Sequence, residues 1–245
     1  MNFLVTGGAG YIGSHMVKFL QEQNESVVVV DNFSTGNDWA VKNCEIIEVD
    51  LLNKVDLQKK LRGRKFDSVF HFASRSIVSE SYLKPELYLR DNLLSLQNLL
   101  DVMIENNNHN IIFSSSAAIY GNVSFKIKEE TLKKPISAYG KSKLLCEKLL
   151  NDLSKTSNLK YISLRYFNAA GADKDGKIGE YRTRETHLIP LIFQSLDNKN
   201  KRIKIYGNDY NTHDGTCIRE YVHVSDLIEA HYKAFLRLEE TNCSD

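Results

Sequence analysis

Residues 6–15 read TGGAGYIGSH, and this glycine-rich stretch decides the fold that we expect. It follows the apolar run NFLVT at residues 2–6 and opens a stretch with helical periodicity. Its glycines can be counted as G-x-G-x-x-G from Gly8 or as G-x-x-G-x-x-G from Gly7. Between a strand and a helix, either spacing is typical of a loop that binds a phosphate group.

The rest of the chain alternates short β-rich runs with amphipathic stretches. Several runs are apolar at successive positions, which predicts strands buried on both faces of a parallel sheet. The strands are expected at residues 2–6, 26–30, 45–49, 68–73, 110–115 and 160–167. The helices between them are expected at residues 11–23, 53–62, 85–106 and 138–155. This order predicts an α/β fold, a Rossmann-type doubly wound parallel sheet with its ligands at the carboxyl ends of the strands.

After residue 168 the pattern becomes looser and richer in glycine and charge. The further elements are predicted as a helix near 188–197, strands at 202–206 and near 218–222, and a helix at about 226–240. We therefore expect a Rossmann domain at residues 1–168 and an incomplete, smaller substrate-binding part at residues 169–245. Residues 216–245 are expected to return and pack on the Rossmann domain.

The composition excludes several classes of function. Lys plus Arg number 32 against 31 for Asp plus Glu, so no basic excess indicates a nucleic-acid partner or a membrane surface. We see no signal peptide and no apolar run long enough for a membrane helix. The four cysteines and seven histidines show no metal-ligand spacing, so no metal is expected. Reduced, structural thiols indicate a cytoplasmic protein.

The carboxyl ends of the predicted strands carry the candidate cofactor site. In the glycine loop, Gly7, Gly10 and Gly13 let the backbone approach a pyrophosphate. Asp31 ends the second strand, where a carboxylate accepts hydrogen bonds from a ribose diol and repels a 2′-phosphate, so NAD is favoured over NADP. The ends of the third and fourth strands add Asp50, Phe72, Ala73 and Ser74.

A candidate reactive site follows the fifth strand. Tyr139 and Lys143 are four residues apart, so they share one face of the predicted helix. An ammonium beside the phenol and a cationic nicotinamide above it would stabilise the phenolate, which makes Tyr139 a candidate general base. Ser116 ends the fifth strand and could hydrogen-bond the same substrate hydroxyl. A Y-x-x-x-K pair alone is more often an exposed helix pair, so the interpretation depends on the combination with the cofactor site.

At this point the chain resembles a known family, the extended short-chain dehydrogenases/reductases, and within it the NAD-dependent 4-epimerases of UDP-sugars. The resemblance runs the whole length and is carried by TGGAGYIGSH (6–15), VVVVDNFSTG (27–36), FHFASRSIVSES (70–81), IIFSSSAAIYG (111–121), SAYGKSK (137–143), LRYFNAAGA (164–172), ETHLIP (185–190) and IYGNDYNTHDGTCIREYVHVSDL (205–227). The last two stretches are the most specific, since many relatives share the glycine loop and Y-x-x-x-K.

The resemblance implies a role for individual residues. Tyr139 would be the base, Lys143 its partner and a ribose ligand, and Ser116 a second hydroxyl contact. Further positions that match cofactor contacts are Tyr11, Ile12, Asn32, Leu51, Ser76, Asn92 and Phe167. Positions that match contacts near a UDP-sugar are Asn168, His187, Leu188, Tyr206 and Arg219. The guanidinium fork of Arg219 suits a diphosphate.

The implied reaction is the interconversion of UDP-glucose and UDP-galactose through a transient keto form at sugar C4, with NAD regenerated in each cycle. Dehydratase relatives need an acid–base pair where this chain has Ala117 and Ala118, so dehydration is disfavoured. Asp91 replaces an expected asparagine beside Asn92. A related substrate, such as UDP-GlcNAc or a UDP-pentose, remains an alternative.

Two further expectations concern the extent and assembly of the protein. Family members continue beyond the point where this sequence stops, so we expect a C-terminal truncation, with a remnant that binds NAD without turnover as the alternative to a working enzyme. A homodimer is expected through the helices at 85–106 and 138–155. The leucines of these helices could equally face the sheet: Leu93, Leu96, Leu100, Leu145, Leu149 and Leu153.

Overall fold

The computed structural model describes residues 1–198 and 202–241 and is built on one six-stranded parallel sheet. The strands are β1 (Asn2–Thr6), β2 (Ser26–Asp31), β3 (Glu45–Glu48), β4 (Ser68–His71), β5 (Asn110–Ser114) and β6 (Lys160–Leu164). Their spatial order is β3-β2-β1-β4-β5-β6, the order of a dinucleotide-binding Rossmann sheet. The predicted fold class is confirmed.

Seven α-helices connect and flank the strands in the described part of the chain. They are α1 (Tyr11–Glu22), α2 (Lys54–Leu61), α3 (Val78–Leu83), α4 (Pro85–Glu105), α5 (Ala138–Thr156), α6 (Leu188–Asp197) and α7 (Val224–Thr241). The four helices predicted before residue 168 are confirmed to within two residues at each end. The sequence did not predict α3, which has only 6 residues and no amphipathic repeat long enough to be recognised.

Helices cover both faces of the sheet because successive strand residues point to opposite sides. In β1, Leu4 packs into a core beneath α2, α4 and α5, whereas Phe3 and Val5 pack into a second core beneath α1 and α7. The ring of Phe235, on α7, lies 4.9 Å from that of Phe3, centroid to centroid. Buried apolar area of this kind is the main stabilising contribution to such a fold.

After residue 168 the helices α6 and α7 agree with the predicted ranges to within two residues, whereas the strands depart from them. Residues 165–167 leave β6, and Asn168–Ala170 form β7, which pairs in parallel with β8 (Tyr221–His223) in a separate two-stranded sheet. The predicted strand at 202–206 was wrong: these residues form no strand, and Ile205 is 79% exposed. An apolar alternation predicts a strand only where another strand supplies hydrogen bonds, and no described strand pairs with this segment.

The leucines proposed for an interhelical contact mostly face the sheet. Leu96 and Leu100 are fully buried in the core beneath α4 and α5. Leu93, Leu149 and Leu153 pack against that core, and only Leu145 of the six is exposed. The outer surface of the two helices is instead apolar at Leu94, Ile104 and Leu145. None of the helices in the described ranges is long and apolar enough to cross a membrane.

Candidate cofactor and catalytic site

The glycine loop is shaped by its own packing, most strictly at two positions. A Cβ on Gly7, whose φ is +70°, would lie 2.6 Å from the backbone nitrogen of Ala73. A Cβ on Gly13 would lie 2.1 Å from the carbonyl oxygen of Gly7. At Gly10 the nearest atom to a Cβ would be the carbonyl oxygen of Gly7 at 3.3 Å, a tight contact that a small shift of the loop relieves. The absence of a Cβ at Gly10 also lets a ligand approach the backbone closely.

The amino end of α1 suits an anion. Gly10 is its N-cap, no side chain caps the helix, and its first turn carries no acidic residue. The partial positive charge of the helix end therefore remains available to a phosphate. Tyr11 and Ile12 form the first turn, as the predicted cofactor positions require. The loop and the helix end together fit the pyrophosphate of a dinucleotide.

Asp31 lies beside this loop at the end of β2. Its Oδ2 accepts a hydrogen bond from the backbone nitrogen of Ala9 at 2.9 Å, and its Oδ1 accepts one from Phe33 at 2.8 Å. The side chain is buried, and burial raises the pKa of the carboxyl above its ordinary value, against the effect of these hydrogen bonds. Each carboxylate oxygen keeps further acceptor capacity, which suits a ribose diol.

The neighbouring strand ends form the rim of the same edge. Asn32 Nδ2 donates to Asp50 Oδ2 at 3.0 Å, while Leu51 is buried beneath them. Phe72, Ala73 and Ser74 are half-buried after β4, and Ser76 and Phe167 are exposed.

The side-chain amide of Asn92 binds other parts of the protein. Its oxygen accepts from the backbone nitrogen of Arg75 at 2.8 Å, and its nitrogen donates to Ser142 Oγ at 2.9 Å. Asn92 thus joins the loop after β4 to α5.

The structure brings the three predicted reactive residues together at the carboxyl end of β5. Ser137 caps α5 by accepting from the backbone nitrogen of Gly140, which starts the helix just before Tyr139. Ser116 lies close enough to the Tyr139 hydroxyl to act as a hydrogen-bond donor that lowers the pKa of the phenol. Lys143 is 2% exposed and its Nζ lies 5.9 Å from the centre of the Tyr139 ring. The side chain thus lies on the Tyr139 face of α5, as the four-residue spacing predicts.

The lysine does not contact the phenol directly. Its Nζ donates to Ser74 Oγ at 3.0 Å and to the carbonyl oxygen of Ser114 at 2.8 Å, and it lies 4.9 Å from the centre of the Phe113 ring. Burial lowers the pKa of Lys143 to about 8. Burial also raises the pKa of Tyr139, and the hydrogen bond with Ser116 only partly opposes this. Tyr139 would therefore ionise to a phenolate only with a further positive charge that lies nearer its hydroxyl than the Lys143 ammonium does.

The five predicted substrate contacts are only partly grouped. Asn168, His187 and Leu188 line one small cavity between β7, β8 and the start of α6. Tyr206 is 90% exposed, and Arg219 is exposed and donates to the carbonyl oxygen of Ile218 at 2.9 Å. Neither of these two residues lines that cavity.

The structure also groups charged side chains that the sequence did not single out. Oxygen or nitrogen atoms of Glu180, Glu185 and His187 lie within 4.8 Å of one another, which is close enough for a shared cation. However, the guanidinium of Arg182 lies 3.1 Å from His187 Nε2 and 3.3 Å from Glu180 Oε1. His187 Nδ1 lies 2.6 Å from the same carboxylate oxygen, so His187 bridges the two opposite charges.

A second cavity, of about 700 Å³, lies on the opposite edge of the sheet. Its lining includes Asp67, His109 and Lys160, at the amino ends of β4, β5 and β6. Because ligands of doubly wound sheets bind at the carboxyl ends of the strands, this cavity is separate from the candidate site.

The strand order, the glycine loop before α1, Asp31 and the tyrosine–lysine pair define a dinucleotide-binding protein of the short-chain dehydrogenase/reductase class. The chain belongs to the NAD-dependent epimerase/dehydratase family, whose model matches residues 3–243.

Three similar proteins illustrate this membership. A UDP-glucose 4-epimerase of Halalkalibacterium halodurans is 44% identical, with 96% of this chain and 70% of the relative covered. The crystal structure of a Brucella ovis UDP-glucose 4-epimerase in complex with NAD is 43% identical with a TM-score of 0.94, covering 99% of this chain and 75% of that one. A Stenotrophomonas maltophila UDP-glucose 4-epimerase with bound NAD and formylated UDP-arabinopyranose is 34% identical with a TM-score of 0.92, covering 100% and 76%.

Proposed function

We propose that the chain is an NAD-dependent isomerase that interconverts UDP-glucose and UDP-galactose at sugar C4. The observation that carries the proposal is that Ser116, Tyr139 and the buried Lys143 meet at the carboxyl end of β5, at the same sheet edge as Asp31 and the glycine loop. The relatives named UDP-glucose 4-epimerase, which the chain matches along nearly its whole length, support it.

The chain's own residues supply the proton chemistry and the positioning. Tyr139 takes the proton of the sugar 4-hydroxyl and returns it, while Ser116 hydrogen-bonds the same hydroxyl and fixes its direction. Lys143 contributes a positive charge and a donor for a ribose hydroxyl. Bound NAD would supply reversible hydride transfer at C4 and a positive charge that favours the phenolate of Tyr139.

The residues that would hold NAD and the UDP-sugar follow from the same geometry. The glycine loop and the first turn of α1 hold the pyrophosphate, Asp31 the adenosine ribose, and the residues after β4 the nicotinamide half. Asn168, His187 and Leu188, which share a cavity, belong to the substrate side. Arg219 and Tyr206 are exposed, and they would supply contacts to a diphosphate and a base.

Epimerisation is favoured over dehydration by the residues beside Ser116. Ala117 and Ala118 form a short 3-10 turn with Tyr120, and Ala117 is buried. An alanine cannot transfer the extra proton that the expulsion of water requires. The reaction that remains available to Ser116 and Tyr139 is oxidation and reduction at the same carbon.

Two finer properties belong to this proposal. The outer surface of α4 and α5, apolar at Leu94, Ile104 and Leu145, would form the contact of a homodimer. A cytoplasmic location is supported by the free thiols of Cys44, Cys146 and Cys217; Cys243 lies outside the described residues.

The purified protein, assayed with UDP-galactose, should form UDP-glucose and should carry bound NAD. We expect Tyr139→Phe to retain NAD but to lose about 10²- to 10⁴-fold in kcat, because the general base is absent. Tyr82→Phe, at an exposed tyrosine on α3, is the matched control and should leave the rate unchanged.

Two outcomes would contradict the proposal. Bound NAD without any conversion would leave the alternative of an NAD-binding remnant. Faster turnover of a UDP-pentose than of UDP-galactose would reassign the substrate. The second outcome is tested with UDP-arabinopyranose, because a solved relative holds a formylated form of that sugar.

A further inference from the structure

Glu147 is a buried carboxylate to which the proposed reaction gives no role. It follows Lys143 by four residues on α5, so both side chains lie on the same face of the helix. Only 7% of its side chain is exposed. Its Oε1 accepts from Ser115 Oγ at 2.6 Å and from Arg165 Nε at 2.8 Å, and its Oε2 accepts from Arg165 Nη2 at 2.8 Å. A buried charge of this kind is stabilised only when its partners are well placed.

These contacts connect Glu147 to the ends of two strands. Ser115 follows β5 and directly precedes Ser116, and its backbone nitrogen donates to the carbonyl oxygen of Leu164 at 2.9 Å. Arg165 directly follows β6 and also donates to the hydroxyl of Tyr120 at 2.9 Å. One carboxylate therefore holds the turn that carries Ser116 against the helix that carries Tyr139. A change in its geometry would be transmitted to the contact between Ser116 and Tyr139.

Glu147 also contributes to the electrostatics of Lys143. The lysine ammonium donates to two neutral groups, Ser74 Oγ and the carbonyl oxygen of Ser114. The titratable side chains around it are His71 on β4, and Tyr139, Cys146 and Glu147 on its own helix. Burial lowers the pKa of His71 to about 3 and raises the pKa of Cys146 to about 11, so both are neutral near pH 7. Glu147 is the negatively charged member of this set. Burial lowers the pKa of Lys143, and the charge of Glu147 raises it.

We propose that Glu147 is a positioning residue, which holds Ser116 in place through Ser115 and supplies the negative charge that keeps Lys143 protonated. This inference rests on the proposed function, because it gives Glu147 the role of supporting two residues of the proposed reaction, Ser116 and Lys143. Two cations limit the effect. The guanidinium fork of Arg165 neutralises part of the carboxylate charge, and Lys133 Nζ lies 4.0 Å from Glu147 Oε2.

The charge is tested by titrating Lys143 in the NAD-loaded protein by NMR with ¹⁵N-labelled lysine, where loss of a signal in Lys143→Arg assigns the resonance. We expect Glu147→Gln to lower the pKa of Lys143 by about one unit, because an opposite charge is removed. We expect Arg165→Met to raise it, because the carboxylate is no longer neutralised. Asp152→Asn is the matched control: Asp152 lies on the same helix with 76% of its side chain exposed, and its loss should cause no shift.

The positioning is tested by Ser115→Ala, which removes the hydroxyl donor and leaves the pairing of Glu147 with Arg165. We expect kcat for UDP-galactose to fall about tenfold, as for the loss of one hydrogen bond to a charged group, with the titration of Lys143 unchanged. The KM and the retention of NAD should stay at the parent values, since Ser115 is buried and its hydroxyl donates to Glu147.

The pKa of Lys143 should shift in opposite directions in Glu147→Gln and Arg165→Met. If Glu147 had only a structural role, both variants would be less stable but the pKa of Lys143 would stay the same in each. Shifts of the same sign, or no shift in folded variants, would overturn the proposal. So would an unchanged kcat in Ser115→Ala, and this mild substitution decides the case if the charged variants do not fold. If the parent protein bound NAD but converted no UDP-galactose, the proposed function would fail, while the titration would still test the charge.

Discussion

The hydroxyl of Tyr11 donates a hydrogen bond to the carbonyl oxygen of Gly171 at 2.7 Å, although 160 positions separate the two residues. The same segment is held further along by Lys18, whose Nζ lies 2.9 Å from Asp173 Oδ1. The ring of Tyr181 meets that of Trp39 at 5.9 Å between centroids. The chain after β7 therefore crosses the amino end of α1, where the pyrophosphate is expected.

Tyr11→Phe tests this contact. Removing the hydroxyl leaves the Gly171 carbonyl without this donor and should lower the free energy of unfolding by about 1 kcal/mol. Amide hydrogen exchange of residues 171–181 should become faster, while exchange in β1 and β2 should not change. Unchanged exchange in that segment would show that Lys18 and Trp39 suffice to hold it.

Gly10→Ala and Gly13→Ala separate the ligand from the fold. At Gly10 the added methyl group would lie 3.3 Å from the Gly7 carbonyl oxygen, a tight contact that a small shift relieves, so the Tm should fall less than in Gly13→Ala while NAD is lost. At Gly13 the methyl group would lie 2.1 Å from the Gly7 carbonyl oxygen, so the Tm itself should fall. The measurements are thermal unfolding and the absorbance of bound cofactor. Full NAD retention in Gly10→Ala would contradict the proposed position of the pyrophosphate.

Asp31→Asn tests the choice of cofactor. The amide keeps one acceptor for the backbone of Ala9 or Phe33 but loses the charge and one acceptor for the ribose. We expect NAD to bind at least tenfold more weakly and discrimination against NADP to decrease, because repulsion of a 2′-phosphate is removed. Trp39, the single tryptophan of the chain, provides a fluorescence signal for titration with both nucleotides. Equal NAD affinity in parent and variant would show that Asp31 only ties β2 to the loop.

Lys143→Met should stabilise the cofactor-free protein at pH 7 while it abolishes turnover. The pKa of Lys143 is lowered from 10.5 to about 8 in the folded state, so the unfolded chain binds more protons between these values. Stability therefore rises with pH through this window, and the cost of burying the ammonium is fully present below about pH 8. That cost is roughly 3 kcal/mol. The gain in the free energy of unfolding of Lys143→Met over the parent should shrink as the pH rises toward 10.5. An equal gain at both ends of the window would contradict the burial of a charged lysine.

The sequence predicted the elements whose signal is local. The bounds of β1 and of α6 agree with the predicted ranges, because an apolar run before a glycine turn and a strong helical repeat need no distant partner. The predictions were wrong where a distant partner strand determines whether a segment forms a strand. Residues 165–167 were assigned to β6, yet the chain turns away so that Asn168 pairs with Tyr221. The strand predicted at 202–206 has no partner among the described strands.

The candidate site shows the same division. Glycines before a helix, an acid at the end of β2 and a four-residue spacing of tyrosine and lysine predicted where a dinucleotide binds and where a proton is transferred. The sequence did not reveal that Asn92 binds the backbone of Arg75, or that Glu147 connects Ser115 with Arg165. These contacts join residues of different elements, and no spacing rule relates them.

The sequence by itself determined the order of strands and helices, the glycine turn before α1 and the pairing of Tyr139 with Lys143 on one helix face, because backbone preferences and side-chain periodicity act over a few residues. The tertiary structure alone decided that the Lys143 ammonium donates to Ser74 and Ser114 and not to the phenol. It also decided that burial raises the pKa of Tyr139. The physical reason is that burial and hydrogen-bond partners depend on which strand ends the sheet brings together, and that arrangement is set by the packing of the whole chain.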